Sequence, residues 1–171
     1  MRGLEVIYTY TERLDQYTIE QLRYRIEPGT WSIGQVYSHI VDVALEYLDN
    51  IRQCEESGVE QPLGKTEAGE RLFGEGAFPP VKIKLPEGME YSPNDANNKE
   101  DHLHDLNRLI DNMRAWDLRI AGIHPLYKVR HGGFGWLNAR EWHDLIEMHS
   151  RHHLRQIKEI EERWNKVTVD R

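Results

Sequence analysis

Apolar side chains recur every three or four residues in four segments of the chain, a spacing typical of amphipathic helices. The segment after Ser32 shows it most clearly, with apolar side chains at Val36, Ile40, Val43, Ala44, Tyr47 and Ile51. Ser32 is a favourable N-cap, and Gln35 three residues later completes the sequence pattern of a capping box. The pattern therefore predicts a helix that starts at Ser32 and fades near Ser57–Gly58.

The other three segments predict one helix before this one and two after it. The first runs from Leu4 to Ile26 and could be broken near Tyr17–Thr18. It ends at the turn signal Pro28–Gly29, because a proline disfavours helix in the residue before it. The third predicted helix runs from Lys99 to Ala121, and the fourth from Asn138 to Lys166.

Two segments lack the helical spacing. Residues 58–98 hold five of the seven prolines, so we expect no helix of useful length there, and VKIKL at 81–85 is at most a short extended piece. The glycine-rich HGGFGW at 131–136 is expected to be a turn that leads into the fourth helix. A connection as long as 58–98 can carry the chain from one end of a bundle to the other. We therefore predict a single all-α domain over residues 1–171, a four-helix bundle with a long crossover between helices two and three.

Composition and charge narrow the class of protein. The apolar fraction of 39% and the charged fraction of 30% are values of globular proteins. The net charge of −7 gives no general attraction to phosphates, so we expect binding neither to nucleic acids nor to membranes. No stretch of this sequence is suited to be a signal peptide or a membrane span, and Cys54 is its single cysteine, so a cytoplasmic location fits best.

Candidate chemistry is concentrated on the fourth predicted helix, where three histidines lie within five residues. A helical residue turns the side chain by about 100°, which places His153 about 40° from His149 inside the apolar stripe and His152 about 60° away on the other side. Two inward imidazoles need partners, because an unpaired buried polar group costs about 1–3 kcal/mol. A zinc, nickel or iron ion would satisfy both. A hydrogen-bonded pair of core histidines is the alternative, and the spacing leaves both interpretations open.

A third ligand would have to come from another helix. His39 is the best candidate, although it lies at the border of its helix's apolar stripe and periodicity supports it only weakly. Cys54 stands about 22 Å further along the same helix, too far to share an ion with His39, and is expected to fill space in the core. Gln156 points within about 20° of His149 and is a candidate to bind substrate or to steady a ligand.

The combined motif resembles the DinB/YfiT-like family over most of the chain. Its parts are Trp31-Ser32 at the start of the second helix, His39 seven residues after the serine, and H-x-x-x-H-x-x-Q at His149, His153 and Gln156. The resemblance implies a four-helix bundle with a three-histidine site, which usually holds nickel or zinc, and commonly a homodimer. Carried onto this sequence, it makes His39, His149 and His153 the metal ligands.

The resemblance also limits the choice of function. Three protein ligands leave coordination positions open, and a metal bound in this way lowers the pKa of bound water or of a thiol. Family members include S-transferases that use a low-molecular-weight thiol as cosubstrate, so S-transfer to a small molecule is the first expectation. Metal-assisted hydrolysis is the second, and a bundle that binds a metal or small ligand without catalysis remains open.

Overall fold

The protein is mostly helical in a computed structural model that describes residues 2–80, 92–95 and 98–169. The elements follow one another along the chain as α1 (Arg2–Leu14), α2 (Ile19–Arg23), α3 (Ile33–Glu56), α4 (Glu67–Glu75), α5 (Lys99–Asp117), a short 3₁₀ turn (Ile120–Gly122), β1 (Lys128–His131), β2 (Gly135–Asn138) and α6 (Ala139–Val169). Among the described residues, no helix is both long enough and apolar enough to cross a membrane.

The four longest helices share one apolar core. α3 packs against α5 and α6, and α1 packs against the same two helices. Tyr10 and Tyr37 are fully buried between them, with their rings 5.1 Å apart in an edge-to-face arrangement. The Tyr37 hydroxyl donates to the Tyr10 carbonyl at 2.9 Å, and the Tyr10 hydroxyl donates to the Ser150 carbonyl at 2.7 Å. These bonds satisfy buried polar groups and tie α1, α3 and α6 together.

α3 starts where the sequence predicts. The backbone N–H of Gln35 donates to the Ser32 hydroxyl, and the Gln35 side chain accepts from the Ser32 N–H, so the capping box is complete. Ser32 is fully buried, and its hydroxyl donates in turn to Asp95 at 2.7 Å. The Gln35 amide donates to the carbonyl of Pro93 at 3.0 Å. The start of α3 is therefore a local cap that also anchors residues 92–95.

The first predicted helix is broken at the point that the sequence suggested. α1 ends at Leu14, and α2 begins after Thr18, whose hydroxyl caps it in a second capping box with Gln21. Thr18 has the extended backbone of an N-cap, and an extended residue cannot continue a helix. Two helices therefore replace the single one predicted between Leu4 and Ile26.

The prediction that residues 58–98 hold no helix of useful length was wrong. α4 has nine residues, with the Thr66 hydroxyl accepting from the Gly69 N–H at its start. Gly76 ends it in the left-handed conformation, at a φ of 62° that side chains rarely adopt. The five prolines of the whole segment favoured a loop and outweighed the capping signals at Thr66 and Gly76. The VKIKL stretch lies outside the described residues.

The turn expected at 131–136 is a β-hairpin, so the fold is mostly helical with one small sheet. β1 and β2 are antiparallel, with His131 opposite Gly135. The chain before α4 lies against this hairpin, because the Thr66 N–H donates to the Phe134 carbonyl and the Trp136 N–H donates to the Gly64 carbonyl. A Cβ at Gly135 would lie only 2.7 Å from the Thr66 nitrogen, so this approach requires glycine. The hairpin leads directly into α6.

Candidate metal centre

Three histidines from two helices meet in the core. His39 comes from α3, and His149 and His153 lie one turn apart on α6. The Nε2 atom of His149 is 3.2 Å from Nε2 of His39 and 3.1 Å from Nε2 of His153. Each of the three residues offers a ring nitrogen that lies within 4.8 Å of those of the other two. In the described ranges, no other group of three or more His, Cys, Asp or Glu side chains lies close enough together to hold one ion. The structure thus brings together the three predicted residues.

The packing of α3 on α6 creates this meeting point. Side chains four residues apart project from the same face of a helix, so His149 and His153 lie side by side. Ile157 continues their face into the core and is fully buried. His39 lies beside the fully buried Ile40 at the edge of the α3 stripe, and the packing of α6 across that edge encloses it.

The spacing of the nitrogens fits a divalent metal ion. Bonds of about 2.0–2.1 Å to an ion place adjacent ligand nitrogens about 2.9 Å apart in octahedral and about 3.3–3.4 Å apart in tetrahedral coordination. The observed 3.1 and 3.2 Å lie between these values. A single proton on His149 Nε2 can make only one linear hydrogen bond, whereas a cation can accept the lone pairs of all three rings. Three imidazoles are also a donor set suited to zinc, nickel and iron.

Gln156 orients one of the three rings. Its Oε1 lies 2.8 Å from Nδ1 of His153. A carbonyl oxygen only accepts, so Nδ1 of His153 carries the proton and its Nε2 keeps a free lone pair that faces His149. This is the tautomer that a metal bound through Nε2 requires. Gln156 therefore lies where the sequence expected it, and it contacts a proposed ligand.

All three imidazoles are held in the neutral form. Burial lowers the pKa of His39 to about 4. Burial, together with repulsion from His39 and His152, lowers the pKa of His153 to about 3. The pKa of His149 is also lowered, first by burial and then by its histidine neighbours. Neutral rings near pH 7 have lone pairs available for a metal.

Aromatic rings surround the three histidines. The ring of Trp31 lies 4.8 Å from His39, and the ring of Tyr47 lies 6.1 Å from His149. The Phe78 ring lies 5.9 Å from His149 and is 6% exposed. Sequence reasoning missed Phe78, because it follows α4 in a segment without any periodic pattern. These rings give the centre an apolar wall.

Two neighbouring residues were predicted to lie outside the group, and both do. His152 is half-buried at the edge, with its ring 5.2 Å from His153 and 5.7 Å from Phe78. Cys54 is fully buried at the far end of α3, where its Sγ lies 3.7 Å from the Leu137 carbonyl. It fills space in the core, as its distance along the helix required.

A cavity of about 400 Å³ lies on the opposite face of α6. The lining of this cavity includes His143, Glu147 and Arg151, which lie on the face of α6 that points away from the three histidines. Gly3 and Phe73 complete its wall. Neither His149 nor His153 lines this space.

Fold and site together define a mostly helical protein with a three-histidine group that can hold a metal ion. A sequence model of the DinB superfamily matches residues 5–157, and the chain belongs to this superfamily. The matched range includes all three histidines and Gln156. Neither the curated proteins nor the solved structures gave a significant match.

Proposed function

We propose that this protein is a metal-dependent enzyme that holds a divalent ion on His39, His149 and His153. The observation that carries the proposal is the convergence of three neutral imidazoles among aromatic rings, with Nε2 of His149 at 3.2 Å from that of His39 and at 3.1 Å from that of His153. Nickel and zinc are the preferred ions, with iron third, in keeping with the donor set. A metal held by three protein ligands supplies an open position at which water or a thiol becomes acidic near neutral pH.

The other residues of the centre orient its histidines and enclose them. Gln156 holds the proton on Nδ1 of His153, which keeps Nε2 available. The rings of Trp31 and Tyr47 lie against His39 and His149 and supply apolar walls for a small-molecule substrate. Transfer of a low-molecular-weight thiol to such a molecule is the proposed reaction, supported by the resemblance to S-transferases of the superfamily. Metal-dependent hydrolysis is the second proposed reaction.

A metal-binding role without catalysis is the second candidate function, and one observation favours it. Phe78 packs on His149, and the cavity of about 400 Å³ lies on the other face of α6. A centre covered by an apolar ring suits storage or sensing of an ion as well as it suits chemistry. Conjugation assays discriminate between the two functions.

The proposal includes the architecture and assembly expected for the family. We infer that α1, α3, α5 and α6 form a four-helix bundle and one domain, with the long crossover between α3 and α5. The packing of α1 and α3 against both α5 and α6 supports this inference. A homodimer and a cytoplasmic location complete the proposal, and both are supported by the family resemblance and the composition.

Elemental mass spectrometry of protein purified without a histidine tag tests the metal centre. We expect about one nickel, zinc or iron per chain. His39→Ala, His149→Ala and His153→Ala should each lose the metal, whereas His152→Ala, on the same helix and outside the group, should keep it. Absence of metal from the wild type after reconstitution with several divalent ions would remove the basis of the proposal.

Conjugation assays test the reaction. Small thiols of different charge would be offered with an electrophile to the metal-loaded protein, and ester hydrolysis would be followed separately. Thiol-dependent conjugation that His39→Ala abolishes supports S-transfer. Ester hydrolysis without a thiol supports the second reaction, and a metal-loaded protein inactive in both assays supports the non-catalytic role.

A further inference from the structure

Phe78 packs on His149 at the edge of the candidate centre, and its position needs a physical cause. Its ring contacts His149 and His152 on one side and lies 5.9 Å from Phe134 on the other. It lies only two residues after Gly76, the C-cap of α4. The position of Phe78 over His149 therefore depends on how the end of α4 is held.

An arginine on the opposite side of α6 holds that end. Arg151 donates from Nε and one terminal nitrogen to the two carboxylate oxygens of Glu147, at 2.8 and 3.0 Å. The same terminal nitrogen also donates to the carbonyl of Gly76. A guanidinium can do this because its donors are fixed in one plane and each terminal nitrogen carries two hydrogens. We call this arrangement of Glu147, Arg151 and Gly76 the latch.

The start of α4 is held independently of the latch. The Thr66 hydroxyl donates to the Gly133 carbonyl and the Thr66 N–H donates to the Phe134 carbonyl. A Cβ at Gly69 would lie 2.4 Å from the Phe134 oxygen, so the first turn of α4 sits directly on the hairpin. With its start fixed in this way, the part of α4 whose movement would displace Phe78 is its end, where the latch is.

We propose that Arg151 is a positioning residue that holds Phe78 over the three-histidine centre and thereby controls access to it. The inference rests on the proposed function for its metal-dependent consequence, but the shielding of the histidines by Phe78 does not require a metal. Arg151 lies two residues from both His149 and His153, yet it acts on Phe78 from the other face of α6 through the backbone of Gly76.

Two rates test the proposal in the full-length chain. The first is the transfer of zinc from the loaded protein to an excess of a coloured chelator. The second is the acylation of His149 and His153 by diethylpyrocarbonate in metal-free protein, measured by peptide mass spectrometry with the exposed His104 as internal reference. Phe78→Ala and Arg151→Met should raise both rates about tenfold, the size expected for loss of a charged hydrogen bond.

Arg71→Met is the matched control. Arg71 forms an exposed pair with Glu67, four residues before it on α4, at 2.9 Å. Its rates should stay within about twofold of wild type, because exposed pairs contribute little. Glu147→Gln leaves Arg151 in place but weakens its orientation, so it should show a smaller increase than Arg151→Met. It replaces Arg151→Met if circular dichroism shows that this variant does not fold.

The outcomes separate the two proposals. If Phe78→Ala raises both rates while Arg151→Met and Glu147→Gln have the same rates as Arg71→Met, the latch does not position Phe78 and the inference fails. If Phe78→Ala itself changes neither rate, the ring shields nothing and the inference fails as well. A wild type that binds neither nickel, zinc nor iron refutes the proposed function, and the acylation rates then decide on the latch alone.

Discussion

At the scale of single residues, the contact between Gln156 and His153 has the most direct chemical meaning. The 2.8 Å contact fixes which nitrogen of His153 carries the proton. Without an acceptor at Nδ1, the ring is free to place its proton on Nε2 and to lose its lone pair toward His149. One amide oxygen thus prepares a ring for coordination.

Substitution of Gln156 should weaken metal binding without unfolding the protein. Gln156→Leu removes the acceptor and is expected to lower metal affinity by about tenfold or more, as is usual for residues that orient a ligand. Gln156→Glu keeps an oxygen at the same place and should preserve the affinity. Competition with a chelator of known affinity measures both variants. Equal affinities for Gln156→Leu and wild type would show that the contact has no part in binding.

Some residues of the centre could be predicted from the sequence and others could not, and the difference has physical reasons. His149 and His153 were recognisable because helix geometry alone places both in an apolar stripe. His39 needed the family resemblance, since its own helix leaves it at the border and only the packing of α6 encloses it. Phe78 could not be predicted, because tertiary contacts of α4 bring it to the centre.

At the scale of elements, the sequence predicted the helix that starts with a local capping box, but not the elements that depend on tertiary contacts. The start of α3 is encoded within four residues, Ser32 to Gln35, and it forms as predicted. α4 and the hairpin stabilise each other, as the close approach of Gly69 to Phe134 shows. A nine-residue helix is marginal by itself in water, so α4 depends on its caps and on this contact with the hairpin.

The two capping boxes offer a comparison of a buried cap with an exposed one. Ser32→Ala removes the cap of α3 and a buried bond to Asp95, so we expect a loss of about 2 kcal/mol in the free energy of unfolding. Thr18→Ala removes the exposed cap of the short α2 and should cost about 0.5 kcal/mol. Urea denaturation measures both. Equal costs would mean that burial and Asp95 add nothing to the cap of α3.

At the scale of the whole molecule, the candidate centre links the two helices that pack most extensively, α3 and α6. A ligand that binds only the folded state raises its stability by mass action. Because the unfolded chain does not keep His39 near the other two histidines, a bound ion acts as a cross-link within the core.

Metal should therefore stabilise the protein as a whole. At a free concentration of about 100 times Kd, nickel or zinc is expected to raise the free energy of unfolding by about 2.7 kcal/mol. A chelator should reverse the gain. Thermal melts of wild type and His39→Ala, with and without the ion, measure the effect. A gain of the same size in His39→Ala would assign the binding to other residues.

The distance along the chain between the histidines has a consequence for biosynthesis. His39 and His149 are 110 residues apart, so the ribosome makes a further 110 residues after His39 before the next histidine of the centre exists. During that interval the emerging polypeptide has one imidazole of the trio and no pre-organised trap for stray ions. Binding of the proposed ion would then be a late event in the life of each new molecule, and the choice of metal would be made at a folded protein.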